Sequence, residues 1–232
     1  MTLKEIGVVR SGIVERKQMP SMGAPASILV HEEFLDGLLH IEKHSHIWVL
    51  GWLDRGERDV LQVTPRGGSE LHGVFAVRSP ARPNPIGLTA ARVVAIKGRE
   101  IEVARLDFLD GTPVVDIKPY FVTRDAIYSA NNAHIGKPTS PEALRESLLE
   151  QAVNFHGERC EDVDRAVEIV ERLRIETGGL DGWTVAAPLD RPHLLDAIMG
   201  MTRVSPGKGS LRLHVAPTVV FSRGEEEIVC GV

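Results

Sequence analysis

The chain has 232 residues, 43% of them hydrophobic and 25% charged, with a net charge of −5. That composition fits one large or two small soluble globular domains, and no run approaches the ~18 apolar residues of a membrane-spanning helix. Before residue 136 there are 16 Lys+Arg and 16 Asp+Glu, and after it 11 and 16, so the net charge lies in the second part; this excludes a general nucleic-acid binder and makes any RNA contact local.

Leu3 to Ser11, with Ile6 and Val8 on one face, reads as a strand, followed by a loop through Pro25 and a second strand from Ser27 to His31. Glu32 to Leu39 makes a short helical turn. The apolar run His46 to Leu53 has the length and β-favouring content of a buried central strand. Gly73 to Ser79 and Leu88 to Ile96 read as strands on either side of Pro80-Ala81-Arg82-Pro83-Asn84-Pro85. Each proline fixes its own φ and pushes the preceding residue out of the helical region, so this loop is rigid and extended. Its arginines suit an anion-gripping role, with an ordinary proline-stiffened connection as the alternative. Lys97-Gly98-Arg99 is a hairpin turn into Glu100 to Asp107, whose alternation sets Ile101, Val103 and Arg105 against Glu102, Ala104 and Leu106. Asp110-Gly111 is a tight turn before a short strand, Val114 to Ile117. Short strands at close intervals without a helix of good length predict a mainly β, barrel-like domain over residues 1–135.

From residue 136 to 232 a smaller α+β domain is expected, with the boundary at Ala133 to Thr139. Ser140-Pro141-Glu142 starts a helix along which Leu144, Leu148, Leu149, Ala152 and Phe155 follow at helical spacing. A second helix runs from about Asp162 to just before Gly178 and buries Val163, Ala166, Val167, Val170 and Leu173. Pro192 opens a third, through Met199. Leu211 to Val215 and Val219 to Ser222 are strands, and Arg223-Gly224 turns toward Ile228 and Val229.

No Gly-x-Gly-x-x-Gly follows a strand, and Ser205 to Ser210 has phosphate-loop residues at the wrong spacing, so a dinucleotide-binding fold of the usual type is not expected. His40, His44 and His46 lack a carboxylate or cysteine at ligand spacing and read as partly buried polar residues. Around the 110–111 turn, Asp107, Asp110, Asp116 and Lys118 form a possible catalytic rim. The plainer reading is that Asp110 serves its turn while Asp116 pairs with Lys118 or an arginine. Cys160 and Cys230 are too few for a disulfide framework, one bridge between them staying open, and the N-terminus has no signal-peptide layout, which leads to a cytoplasmic expectation.

Arg78-Ser79 through Arg82-Pro83-Asn84-Pro85-Ile86-Gly87, with Asp107-x-x-Asp110-Gly111-Thr112-Pro113-Val114-x-Asp116-Ile117-Lys118-Pro119-Tyr120, closely resembles the TrmO-like (YaeB or TsaA-like) family. Gly7 to Ser11 and Ser45 to Trp48 match it too. The resemblance implies a β-barrel methyltransferase that uses S-adenosylmethionine, works as a homodimer and methylates N6 of threonylcarbamoyl-adenosine in a tRNA anticodon loop. By matching position it implies cofactor contacts at Arg78, Leu88, Ala104, Arg105, Leu106 and Asp107, with Pro20, Asp54 and Arg55 as weaker candidates. Asp107, Asp116 and Lys118 are then the catalytic candidates, and Arg82, Asn84 and Tyr120 the substrate-binding ones. Two departures bear on the acceptor: Pro20-Ser21-Met22 stands where the family has Pro-Arg-Gln, and Asp54 where some members carry histidine. A small-molecule or protein acceptor is therefore the alternative to tRNA, and a non-catalytic S-adenosylmethionine sensor is an alternative of another class.

The second domain resembles the FmdE-like family more weakly, through Phe155 to Cys160 and Asp196-Ala197-Ile198 to Leu211. That resemblance implies metal ligands of which His156 and Cys160 remain, Glu158 and Val204 replacing a histidine and a cysteine. Two ligands rarely hold zinc, so a degenerate site without metal, with a structural or substrate-selecting role, is expected.

Overall fold

The computed structural model describes residues 2–130, 138 and 140–232. The chain forms two compact units, Met1–Thr139 and Ser140–Val232. The expected boundary at Ala133 to Thr139 lies, Pro138 apart, outside the described residues.

Among the described residues, eight strands build the first unit: β1 (Gly7–Arg10), β2 (Ala24–Val30), β3 (His46–Trp52), β4 (Gln62–Val63), β5 (His72–Gly73), β6 (Ile86–Lys97), β7 (Glu100–Leu106) and β8 (Pro113–Pro119). Six of them close an antiparallel barrel in the order β1-β2-β7-β6-β3-β8, as the mainly β reading expects, and β4 with β5 makes a separate ribbon. Closure removes the exposed sheet edges that an open sheet would present. In β3, residues Ile47, Val49 and Gly51 point inward and Trp48, Leu50 and Trp52 are half-buried outside. Val9, Ile28, Val30, Ile101, Val103, Leu106, Phe108 and Val114 complete the barrel core.

Two sequence expectations fail here for identifiable reasons. The alternation expected in β7 breaks after Val103, because Ala24 pairs with Leu106 while Ala26 pairs with Val103. Three residues of β7 thus span two of β2, a bulge that turns Leu106 into the core rather than away from it. Gly73 to Ser79 is also not a strand: Val74–Ala76 is a 3₁₀ turn. Its buried Val74 anchors it, and the Arg82 side chain binds the carbonyls of Val74 and Val77, so these acceptors are satisfied without a sheet partner.

In the second unit, α2 (Pro141–His156) and α3 (Glu161–Thr177), which follow a four-residue helix α1 (Val122–Asp125) of the first unit, precede β9 (Thr184–Pro188) and α4 (Pro192–Thr202). The sheet β10-β9-β11-β12 is completed by β10 (Leu211–His214), β11 (Thr218–Arg223) and β12 (Glu226–Gly231). The Ser140 hydroxyl accepts from the Ala143 N–H at 3.2 Å, Pro141 occupies the first helical turn, and Gly157 ends α2 at φ 105. β9 has no counterpart among the strands read from sequence. It pairs in parallel with β10 across α4 and buries Val185 and Ala187 in the core; only four of its five residues, Val185 to Pro188, are apolar.

Candidate active site at one rim of the barrel

Because every barrel pairing is antiparallel, the C-terminal ends of β1, β3 and β7 and the N-terminal ends of β2, β6 and β8 share one rim. The loops after Arg10, Trp52 and Leu106 and the loop before Ile86 therefore meet there, and local contacts tie them together. Leu53 donates its N–H to the Pro85 carbonyl at 2.7 Å, and Arg82 donates its N–H to the Glu57 carbonyl at 2.9 Å. A Cβ on Gly56 would lie 2.5 Å from the Pro80 carbonyl oxygen, so only glycine permits that approach. The Asp110 carboxylate accepts from the Ser11 and Gly12 N–H groups at 3.0 and 3.3 Å, and Arg55 donates to the Val14 carbonyl at 2.8 Å.

Under this rim sits Phe108, 2% exposed. Gly51 and Gly87 are register partners on β3 and β6, and a Cβ on either would lie 2.7 or 2.5 Å from the Phe108 ring. The two glycines thus form a flat seat for the ring, which in turn fixes the segment carrying Asp107.

Arg78 and Leu88 meet, the guanidinium donating to the Leu88 carbonyl. Asp107, exposed, accepts from the Thr89 hydroxyl, one residue further along β6. Ala104, Arg105 and Leu106 lead to Asp107 along the bulged end of β7, and Gly23 approaches the Leu106 backbone so closely that a Cβ would lie 2.8 Å from its carbonyl carbon. Exposed Pro20 lies in the same loop, its carbonyl accepting from Gly23 at 3.0 Å. Asp54, Arg55 and Asn84 are exposed at this rim.

Three of the predicted residues are placed differently. Arg82 turns into its own loop: Nε donates to the Ser79 carbonyl at 2.7 Å and Nη2 to the carbonyls of Val74, at 2.8 Å, and of Val77. These bonds tie its guanidinium to the loop that carries it. Lys118 pairs with Asp116 at 2.6 Å, the plainer reading from the sequence. Tyr120 lies past the far end of β8, its N–H donating to the His46 carbonyl at 3.0 Å and its ring packing on Trp48 at 5.4 Å. Pro119 stands six positions along β8 from Pro113 at the rim, about 20 Å of strand. Asp116 sits between, beside Leu50, where a second bulge pairs Gly51 with Val114.

His40, His44 and His46 do not converge on a metal site. His44 packs edge-on against Phe121 at 5.6 Å, His40 lies 3.6 Å from Glu42, and His46 is within 3.0 Å of the Ser45 hydroxyl. Among the described residues, donor atoms that could share a metal belong instead to the second unit, where His193 joins His156 and Cys160. Motif reading reached the latter two. His193 was missed because its signal is spatial: α4 brings it to the others from a distant part of the chain.

A closed six-stranded antiparallel barrel with its proline-rich, arginine-bearing loop clamped at one rim defines the class. Residues 8–126 match the family model described as the tRNA-methyltransferase O N-terminal domain, and the chain belongs to that family. An Archaeoglobus fulgidus S-adenosyl-L-methionine-binding protein is 44% identical over 131 residues, 55% of this chain and 94% of that protein. A second A. fulgidus protein, described as a probable S-adenosyl-L-methionine-binding protein, is 42% identical over 184 residues; the match spans 75% of this chain and half the length of that relative. The tRNA (adenine(37)-N6)-methyltransferase of Escherichia coli K12 is 32% identical over 170 residues, 67% of this chain and 69% of that enzyme. A crystal structure of TrmO superposes with a TM-score of 0.51 at 24% identity, covering 100% of this chain and 99% of that one, a likeness of fold.

Proposed function

We propose that the protein is an S-adenosylmethionine-dependent methyltransferase whose acceptor is N6 of threonylcarbamoyl-adenosine in a tRNA anticodon loop. The observation that carries this reading is the convergence of Arg78, Leu88, Leu106 and Asp107 on one barrel rim, in a chain whose family and relatives bear S-adenosylmethionine and tRNA methyltransferase names. These residues suit the cofactor chemically. The Arg78 guanidinium offers further donors to a carboxylate, and exposed Leu88 and Ile86 offer apolar surface to an adenine ring.

When bound, S-adenosylmethionine would supply a sulfonium methyl group for transfer to the acceptor nitrogen, the S–C bond giving way to an N–C bond and leaving the neutral thioether. The protein's part is alignment, exclusion of water and acceptance of the N–H proton. Asp107, held by Thr89, is the carboxylate best positioned at the rim for orienting the acceptor or taking its proton. Asp116 is the less suited of the two, because Lys118 pairs with it and the Ile117 N–H binds its other oxygen.

A homodimer in the cytoplasm completes the reading. Phe75, 84% exposed, and Leu61 and Leu71 leave apolar surface on the segments before the rim loop, which a second copy would cover. No helix among the described residues is long and apolar enough to cross a membrane.

The second reading, a different methyl acceptor, is favoured by Ser21 and Met22 at the rim, which leave that loop without the cation the family carries there. Mass spectrometry of tRNA nucleosides from a deletion strain separates the two. Loss of the N6-methylated nucleoside supports tRNA, and unchanged methylation sinks it.

A further inference from the structure

The termini of three helices converge in the second unit. His156 is the last residue of α2, Cys160 is the N-cap of α3, and His193 stands in the first turn of α4. His156 Nε2 lies 2.9 Å from His193 Nδ1 and 3.7 Å from Cys160 Sγ, and the three donor atoms all fall within 4.8 Å of one another. A tetrahedral zinc ion, with Zn–N near 2.0–2.1 Å and Zn–S near 2.3 Å, sets its ligand atoms about 3.3 Å apart for two nitrogens and about 3.6 Å for nitrogen and sulfur. The nitrogen–sulfur separation of 3.7 Å is close to its value, and the nitrogen–nitrogen separation of 2.9 Å would open by about 0.4 Å around the ion.

Two further features match a metal centre. The Asp196 carboxylate lies 3.2 Å from His156 Nδ1, so it fixes that nitrogen as the proton carrier and leaves the Nε2 lone pair directed at the cluster. The Cys160 side chain makes no capping hydrogen bond, although it holds the N-cap position of a 17-residue helix, and its sulfur turns toward the histidines instead. The site is held from outside by Arg191. Its Nε donates to Asp162 at 3.1 Å, with a second bond from Nη2, and so binds the start of α4 to the first turn of α3. Further along α4, a Cβ on Gly200 would lie 2.7 Å from Phe155 Cβ, so glycine lets α4 approach the residue next to His156.

From this convergence we infer that the second unit binds a zinc ion through His156, Cys160 and His193. Three protein ligands leave the fourth tetrahedral position for water or an anionic group, the pattern of zinc sites that bind or activate a small molecule rather than closed structural sites. His193 belongs to none of the sequence motifs that pointed to the other two ligands, and without it the set is too small to hold the ion.

Zinc alone is the probe. Metal-stripped full-length protein is titrated with zinc against a chromogenic chelator, and cobalt is substituted in parallel. We expect one zinc per chain, an affinity at least tenfold lower in Cys160→Ser and His193→Ala, and no change in His40→Asn, a histidine of the other unit. Cobalt should give a thiolate charge-transfer band that Cys160→Ser abolishes. Asp196→Asn, a near-isosteric change at a carboxylate 47% exposed, should weaken zinc about tenfold or more, and keeps the test decisive if a ligand variant misfolds. Substoichiometric zinc, affinities indifferent to these changes, or a cobalt spectrum without the thiolate band would each overturn the assignment.

Discussion

Replacing Gly87 with alanine tests whether the Phe108 ring seats the rim. The new Cβ would lie 2.5 Å from Phe108 Cε1 and 2.8 Å from Cζ, and the ring, 2% exposed, has no free space into which to retreat. The Leu53 Cδ2 contact at 3.1 Å is the far end of a flexible side chain and can yield. Overpacking of this kind costs about 1–3 kcal/mol. Phe108→Ala alone should cost about 3–5 kcal/mol, the usual range for a truncated core aromatic. In the Phe108→Ala background the methyl of Gly87→Ala meets an empty seat, so its penalty should vanish and the pair should couple by about 1–3 kcal/mol. Because the chain has two units, the readout should be specific to the barrel: urea titration followed by hydrogen exchange of β3 and β6 peptides. Additivity within about 0.5 kcal/mol would refute the seat, since independent sites add to that precision.

Arg82→Lys keeps the charge but not the fork, and should speed hydrogen exchange of the Val74 to Ser79 amides, whereas Arg78→Ala should leave that exchange unchanged and weaken S-adenosylmethionine binding by calorimetry. Asp110→Ala strands the Ser11 and Gly12 N–H groups and should destabilise the barrel by about 1–2 kcal/mol in denaturant titrations. In the second unit, the hydrogen bond from Arg191 holds the Asp162 carboxyl below its usual range. A depressed carboxyl stabilises the fold above its unfolded pKa, and that contribution is lost as pH falls from about 4 through the folded value, so Asp162→Asn should flatten the acid limb of this unit's stability profile. Burial raises the Cys230 thiol pKa, and the residue is 5% exposed, so a thiol reagent should modify Cys230 only on unfolding.

The barrel was legible because its strands alternate and its turns carry glycine or Asp-Gly. In β1 it is Val9, not Val8, that takes the buried face, and in β3, a nearly continuous apolar run in sequence, pairing in the barrel selects Ile47 and Val49 for the core. What could not be read was set by contacts between distant residues. The alternation of β7 is broken by its pairing with β2, and the 3₁₀ turn at Val74 is held by the side chain of Arg82. β9 escaped because a short apolar run has no periodicity to separate strand from helix. The proline-rich loop showed its stiffness, but the role of each arginine depended on direction. Arg82 points back into the loop, and Arg78 reaches Leu88 with its remaining donors at the rim. The carboxylates likewise shared one motif yet separated in space: Asp110 closes the β1 loop, Asp116 is neutralised by Lys118, and Asp107 stands at the rim.

The most direct test of the methyltransferase account is transfer itself. The purified protein, supplied with S-adenosylmethionine carrying an isotopically labelled methyl group and with tRNA from the deletion strain, is followed by nucleoside digestion and mass spectrometry. The account predicts one labelled methyl on the threonylcarbamoyl-adenosine nucleoside, lost in Asp107→Ala. Cofactor binding without label in any tRNA nucleoside would contradict it.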